Sequence, residues 1–323
     1  MENLSIRPTA LIVEIGRISD ETDRHPQQVQ DAFELAGGNT SLLQHLSLQD
    51  FPETVNLNTG YDGQHPYLVE DPHISNAQDV REYVLGSLDF ELGRTISMLD
   101  TVRTDERYQD VQAINASYAL TEGMLLEEVM SKLTDDSELT ATQIEEIIDQ
   151  TLDSDNPRIA ELEERLNASV QSLYEDQGTI FVTGNGNDGG IFQRMARLNA
   201  FRDQSIQPEA DEDDTFFARM LGEQPNVFFA AASEPSGELS DYSSVIQGEQ
   251  QQFAPQVPFR YRGTSFTAPV ITAFIQQARA ENPDITTEEL ESKLREAFPM
   301  PAGSIESGGF DPEIFERQSV SPF

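Results

Sequence analysis

The chain alternates between short, continuous apolar runs and longer stretches whose apolar residues recur at helical spacing. Residues 10–15 form one such run, interrupted by a single carboxylate, and a run of this kind predicts a strand buried on both faces. The patterns of residues 27–35 and 77–88 predict two helices. Four further apolar segments predict strands: residues 95–99, 111–116, 179–183 and 226–232.

Strands that alternate with helices favour a mostly parallel sheet with helices on both of its faces. Helices are predicted to fill much of residues 121–176, whereas residues 50–72, rich in Asn, Gly, Pro and Asp, predict a long loop. The sequence contains no internal repeat and no convincing linker. We therefore expect an α/β fold class and one domain that spans residues 1–323.

The chain is strongly acidic, with 58 acidic against 20 basic residues and a formal net charge of −38. Such a surface argues against nucleic acid and anionic membranes as partners, because phosphate contacts require Lys and Arg. It favours a basic peptide or protein partner, or adaptation to high salt, where charge repulsion is screened. Cysteine is absent, which excludes disulfides and thiolate metal sites.

No apolar run approaches the length that spans a membrane. The first residues, Met1-Glu2-Asn3, are not followed by the basic and then apolar segments of a cleavable secretion signal. These features predict a cytoplasmic protein, or one exported without a signal peptide.

The segment with the clearest chemistry is Gly263-Thr-Ser-Phe-Thr-Ala-Pro269, followed by an apolar run over residues 270–275 that predicts a helix. A serine at a helix start lies near unpaired backbone N–H groups and the positive end of the helix dipole. These conditions suit Ser265 as a nucleophile whose attack creates an oxyanion. An ordinary helix cap is the alternative interpretation.

This segment resembles the nucleophile motif of the subtilisin-like serine peptidases (subtilases), Gly-Thr-Ser-x-x-x-Pro. Other segments resemble family landmarks in the family order, over roughly residues 110–316: residues 114–118, 180–189, 227–244, 253–257 and 308–311. The resemblance implies a subtilisin-like three-layer fold and serine endopeptidase activity on a peptide or protein substrate. It implies no required cofactor; bound calcium is common in the family, but the loops here are too divergent to name ligands.

The resemblance also assigns roles at the ends of two strands. In Ile-Phe-Val-Thr-Gly-Asn-Gly-Asn, Asn185 takes the place of the family residue that donates its side-chain amide to the oxyanion, with Asn187 as the alternative. Four residues are expected to line the substrate-binding cleft: Ser117, Tyr118, Ala119 and Gly184.

The acidic member of the triad is expected at Glu14, which takes the place of the family aspartate at the end of the first strand. A carboxylate there accepts from the imidazole Nδ1–H and fixes its tautomer. Glutamate can serve, but its extra methylene shifts the oxygens by more than about one ångström on a fixed backbone. The functional interpretation is favoured because a carboxylate inside a buried strand is costly without a partner.

The family pattern His-Gly-Thr is missing, so the catalytic histidine must be chosen among four. His73 directly precedes the predicted helix at 77–88 and is the first choice, with His65 as the alternative. His25 is read as part of a His-Pro element, and His45 as a packing residue in a leucine-rich segment.

Residues 121–177 form an acidic helical insertion, where the family usually has one helix. Four residues of this insertion recur at helical spacing and predict an apolar face: Ile144, Ile147, Ile148 and Leu152. The insertion is either a lid or exosite for a basic substrate, or a solvated acidic cover. The acidic run at residues 211–214 is either a cation site or, more commonly for such runs, a solvated loop.

Two functions from different classes follow. The first is an active peptidase with Ser265, His73, Glu14 and Asn185 in the catalytic roles. The second is a pseudoprotease, in which the same scaffold with altered catalytic residues acts as a binding or regulatory module. Retention of the serine and asparagine segments favours the first, whereas loss of His-Gly-Thr and the Asp-to-Glu change favour the second.

Overall fold

The structure is a computed structural model that describes most of the chain between residues 9 and 301. The described ranges are 9–14, 24–51, 74–117, 121–134, 137–153, 155–186, 216–222, 224–240, 242–244, 246, 251–257 and 263–301.

The described strands form one parallel six-stranded sheet in the order β2-β1-β3-β4-β5-β6. The strands are β1 (Thr9–Glu14), β2 (Leu43–Ser47), β3 (Val111–Ala116), β4 (Ile180–Gly184), β5 (Val227–Ala230) and β6 (Gln252–Phe253). This architecture confirms the α/β fold class predicted from the alternating pattern.

The described helices lie between these strands and after the last of them. They are α1 (His25–Leu35), α2 (Ala77–Leu88), α3 (Arg94–Thr104), α4 (Glu122–Ser131), α5 (Ala141–Leu152), α6 (Pro157–Gln177), α7 (Phe216–Leu221), α8 (Ala268–Glu281) and α9 (Thr287–Ala297).

The sheet is covered on both faces, which explains the continuous apolar runs of its central strands. Alternate residues of β1 point to opposite sides: Ala10 and Ile12 pack with α1 and α8, whereas Leu11 and Val13 join the core that includes α2 to α7. Helix α9 packs beside α8 on the same face of the sheet as α1 and α8. The result is a three-layer arrangement whose carboxyl strand ends lie along one edge.

The prediction of a strand at residues 95–99 is wrong. Helix α2 continues through one π-helical turn, Asp89–Gly93, into α3. Thr-Ile-Ser-Met-Leu alternates between polar and apolar residues and therefore resembles a strand over five positions. Over a longer window, Leu88, Leu92, Ile96 and Leu99 recur three and four residues apart, and all four are buried.

Strand β2 contains His45 and lies in the leucine-rich segment where the sequence predicts a packing role for that histidine. It is an edge strand of the described sheet and pairs only with β1, so most of its residues are partly exposed and its apolar pattern is weak. Most of the predicted loop at residues 50–72 lies outside the described residues.

The acidic insertion contains α4, α5 and α6. The four residues predicted to form an apolar face on α5 are all buried. Helix α5 packs against α2 and α4, and α6 packs against α3 and α7. No helix within the described ranges is both long and apolar enough to cross a membrane.

Helix α8 is joined to the sheet by a buried arginine. The Arg279 guanidinium donates to the carbonyl oxygens of Gln112 at 2.7 Å and Gly178 at 2.8 Å. Burial lowers the pKa of Arg279 to about 10, well above neutral pH, so the side chain remains charged. It therefore connects the helix that follows the serine motif to Gln112 in β3 and to Gly178, two residues before β4.

We expect Arg279→Met to lower the free energy of unfolding by about 2 kcal/mol, because buried carbonyl oxygens lose their donors. The control Arg295→Met removes a partly exposed pair with Glu291 one turn earlier and should cost less than about 1 kcal/mol. Urea unfolding measures both. Equal losses in the two variants would contradict the role of Arg279.

Candidate active site

Ser265 lies in a 3₁₀ turn, Thr264–Phe266, that leads directly into α8. The Phe266 N–H donates to the Gly263 carbonyl at 3.1 Å, and the Thr267 N–H donates to the Thr264 carbonyl at 3.0 Å. Pro269 occupies the first turn of the helix, where its missing N–H costs little. The serine is half-buried and stands before the amino end of α8, close to the position predicted from the sequence.

The serine turn touches the end of β4. A Cβ built on Gly184 would lie 2.8 Å from Thr264 Oγ1, so a glycine is needed for this approach. The Thr264 hydroxyl also donates to the Gly186 carbonyl at 3.2 Å. Gly263, at φ +136°, supplies a backbone conformation that other residues rarely adopt. Two segments predicted to act together, residues 184–186 and 263–266, are therefore in contact.

Glu14, the last residue of β1, is 5% exposed and contacts His25, the first residue of α1. Glu14 Oε2 lies 2.9 Å from His25 Nδ1. A carboxylate only accepts, so Nδ1 carries the hydrogen of this bond. In the neutral ring Nε2 then carries no hydrogen, which is the tautomer that a general base requires.

The His25 ring also packs against the residue that follows Ser265. The ring centroids of His25 and Phe266 are 5.4 Å apart, and the rings are tilted by 48°. Helix α1 packs against α8 and the serine turn. Within the described residues, no hydrogen bond joins the Ser265 hydroxyl to an imidazole. The structure therefore brings an oriented imidazole to the serine turn without a hydrogen bond to the serine.

The two histidines preferred on sequence grounds, His73 and His65, lie outside the described residues. His45 lies in β2, where burial lowers the pKa of its ring. The sequence pattern assigns His25 to a His-Pro element, because a proline follows it. That proline was the available signal: Pro26 stands in the first turn of α1, so His25 begins the helix that follows the first strand.

Asn185 is fully buried directly after β4. Its Nδ2 donates to the Ser244 carbonyl at 3.2 Å and to Gln252 Oε1 at 2.9 Å. Both amide hydrogens are therefore engaged inside the protein. The expected oxyanion role requires one of these bonds to open. The alternative donor, Asn187, lies outside the described residues.

Two of the four expected substrate-binding residues are described. Ser117 follows β3 and is 2% exposed, and its Oγ accepts from Asn115 Nδ2 at 2.5 Å. Gly184 ends β4 against the serine turn. Tyr118 and Ala119 lie outside the described residues.

No group of three or more His, Cys, Asp or Glu side chains that could hold a metal ion occurs within the described ranges. The acidic run at residues 211–214 lies outside them. The described residues therefore give no ligand set for the bound calcium that is common in the family the sequence resembles.

Known proteins give little further information about the role of these residues. No protein-family model matches the chain. No curated protein matches it either. Among solved structures, the chain is similar to the serine protease MycP1, described as an essential component of the type VII (ESX-1) secretion system. That match has 12% identity and a TM-score of 0.43, and covers 92% of this chain and 78% of MycP1. At this level it does not define a function, so the residues of the site must do so.

We expect Gly184→Ala to lower the free energy of unfolding by about 1–3 kcal/mol, because the new methyl group meets Thr264 Oγ1. Thr264→Ala removes that oxygen, so the double variant should lose less stability than the sum of the single variants. Urea unfolding of the four proteins measures the coupling. Additive losses would contradict the close contact.

Proposed function

We propose that the chain is a serine peptidase of subtilisin-like architecture. Ser265 is the nucleophile, His25 the general base, and Glu14 the carboxylate that orients the imidazole. The proposal is carried by one observation: the Glu14–His25 hydrogen bond directs an imidazole of defined tautomer against Phe266, the neighbour of Ser265.

The proposed reaction follows from these groups. The Ser265 Oγ attacks the carbonyl carbon of the substrate peptide bond while His25 Nε2 accepts the hydroxyl proton. Glu14 stabilises the imidazolium through Nδ1–H. The C–N bond then breaks as Nε2 returns the proton to the leaving amine. Water, activated by the same imidazole, hydrolyses the acyl-enzyme and regenerates Ser265.

The developing oxyanion requires hydrogen-bond donors. The Ser265 backbone N–H, in the 3₁₀ turn before α8, supplies one. The Asn185 amide supplies the second by exchanging its longer bond, to the Ser244 carbonyl, for the oxyanion. Contacts of Thr264 with Gly184 and Gly186, the two residues that flank Asn185, support this role.

Substrate choice is proposed from charge alone. A formal net charge of −38 raises the local concentration of basic peptides and repels acidic ones. The proposed substrates are therefore peptides or proteins with basic character, rather than nucleic acid or membrane lipids.

A pseudoprotease that binds peptides without cleaving them is the second candidate. Two observations favour it: both Asn185 amide hydrogens are engaged, and no hydrogen bond within the described residues joins Ser265 to an imidazole. In apo enzymes catalytic hydrogen bonds are often long and tighten only with substrate, which leaves the peptidase proposal ahead.

A fluorophosphonate probe separates these candidates. We expect the parent protein to be labelled and Ser265→Ala to be unlabelled. His25→Ala should lower the labelling rate by about 10³-fold or more, because the serine loses its base. The matched variant His73→Ala should label at the parent rate.

An unlabelled parent would favour the binding module over the peptidase. Loss of labelling in His73→Ala with retention in His25→Ala would transfer the role of the base to His73. Circular dichroism of each variant checks that the fold is intact.

We expect Glu14→Gln to lower kcat/KM for a basic peptide by about 10²–10⁴-fold, because a neutral amide no longer stabilises the imidazolium. Glu34→Gln makes the same change on the exposed surface of α1 and should leave kcat/KM unchanged. Similar activity in the two variants would remove the proposed role of Glu14.

A further inference from the structure

A network of buried amides joins the end of β4 to strand β6. Gln252, in β6, is 2% exposed. Its Oε1 accepts from the Ile246 N–H at 2.9 Å, and its Nε2 donates to the Ile246 carbonyl. Because one backbone N–H and one backbone C=O hold the two ends of this amide, the positions of its oxygen and nitrogen are fixed.

The fixed Gln252 amide determines the direction of the Asn185 amide. Asn185 Nδ2 donates to Gln252 Oε1 at 2.9 Å and to the Ser244 carbonyl at 3.2 Å. Both partners are acceptors, so only the nitrogen end of Asn185 fits between them. A rotation of 180° would bring the Asn185 oxygen against two other oxygens.

We propose that Gln252 is a positioning residue for Asn185, an inference that rests on the proposed peptidase function. Gln252 holds one amide hydrogen through the shorter bond. The second hydrogen, on the longer bond to the Ser244 carbonyl, is the one that turns to the oxyanion. Without Gln252, the amide can present its oxygen, an acceptor that repels negative charge.

The position of this network in the fold supports the inference. Gly184 and Gly186 flank Asn185 and both contact Thr264, the neighbour of Ser265. Gln252 lies two strands away from β4 and reaches Asn185 across the end of β5. It therefore acts on the serine site through Asn185.

A double-mutant cycle tests the inference through kcat. We expect Gln252→Met to lower kcat by about 10-fold to 100-fold with KM nearly unchanged, because an oxyanion donor is misplaced. Asn185→Ala should lower kcat by about 100-fold or more. In the Asn185→Ala background, Gln252→Met should cause no further loss of kcat.

The chain offers a matched control. Gln276, in α8, is also buried, and its amide accepts from the Asn39 N–H and donates to backbone carbonyls. Gln276→Met should cost similar stability without lowering kcat. An equal kcat loss in Gln276→Met, or the same loss from Gln252→Met in both backgrounds, would overturn the positioning role.

Hydrogen exchange of the Asn185 side-chain amide tests the positioning role without relying on turnover. We expect the Asn185 side-chain hydrogens, followed by NMR, to exchange roughly tenfold faster in Gln252→Met than in the parent. Gln252→Asn, which shortens the reach by one methylene, replaces Gln252→Met if that variant does not fold and should change in the same direction. Unchanged exchange overturns the positioning role, whereas a parent without turnover or labelling overturns the peptidase proposal.

Discussion

The hydrogen bond from His25 Nδ1 to Glu14 Oε2 joins the carboxyl end of β1 to the amino end of α1, and the geometry of the candidate site depends on it. Glu14 is almost fully buried, and a buried carboxylate is costly unless it is hydrogen-bonded. The bond from His25 gives this carboxylate a partner at Oε2 and also orients the imidazole. Because α1 packs against α8, the same layer of helices holds His25 against Phe266 in the turn before α8.

The parallel sheet explains why residues distant in the sequence meet. Parallel strands present their carboxyl ends at one edge, where α/β proteins place their sites. Glu14 ends β1, Ser117 follows β3, and Gly184 ends β4, and these three strands are neighbours. The serine turn approaches this edge through Thr264 and Gly184, at a distance that a larger residue than glycine would obstruct.

Features that depend on local pattern could be predicted, and those that depend on distant contacts could not. The apolar runs of β3 and β4 identify strands because both of their faces are buried. Residues 95–99 alternate like a strand, but the wrong prediction there arises because the helical spacing is visible only over a longer window. His25 does not stand in the His-Gly-Thr pattern expected of the catalytic histidine, and its importance lies in its contact with Glu14. The orientation of Asn185 depends on Gln252, 67 positions away, which no local motif indicates.

The central claim is that Ser265 and His25 form one reactive unit, and a crystal structure of the protein after fluorophosphonate treatment tests it most directly. The account predicts phosphorus bound to Ser265 Oγ, with His25 Nε2 within hydrogen-bond distance of the adduct and Nδ1 still bonded to Glu14. A structure without an adduct, or one in which another imidazole contacts Ser265, would contradict it.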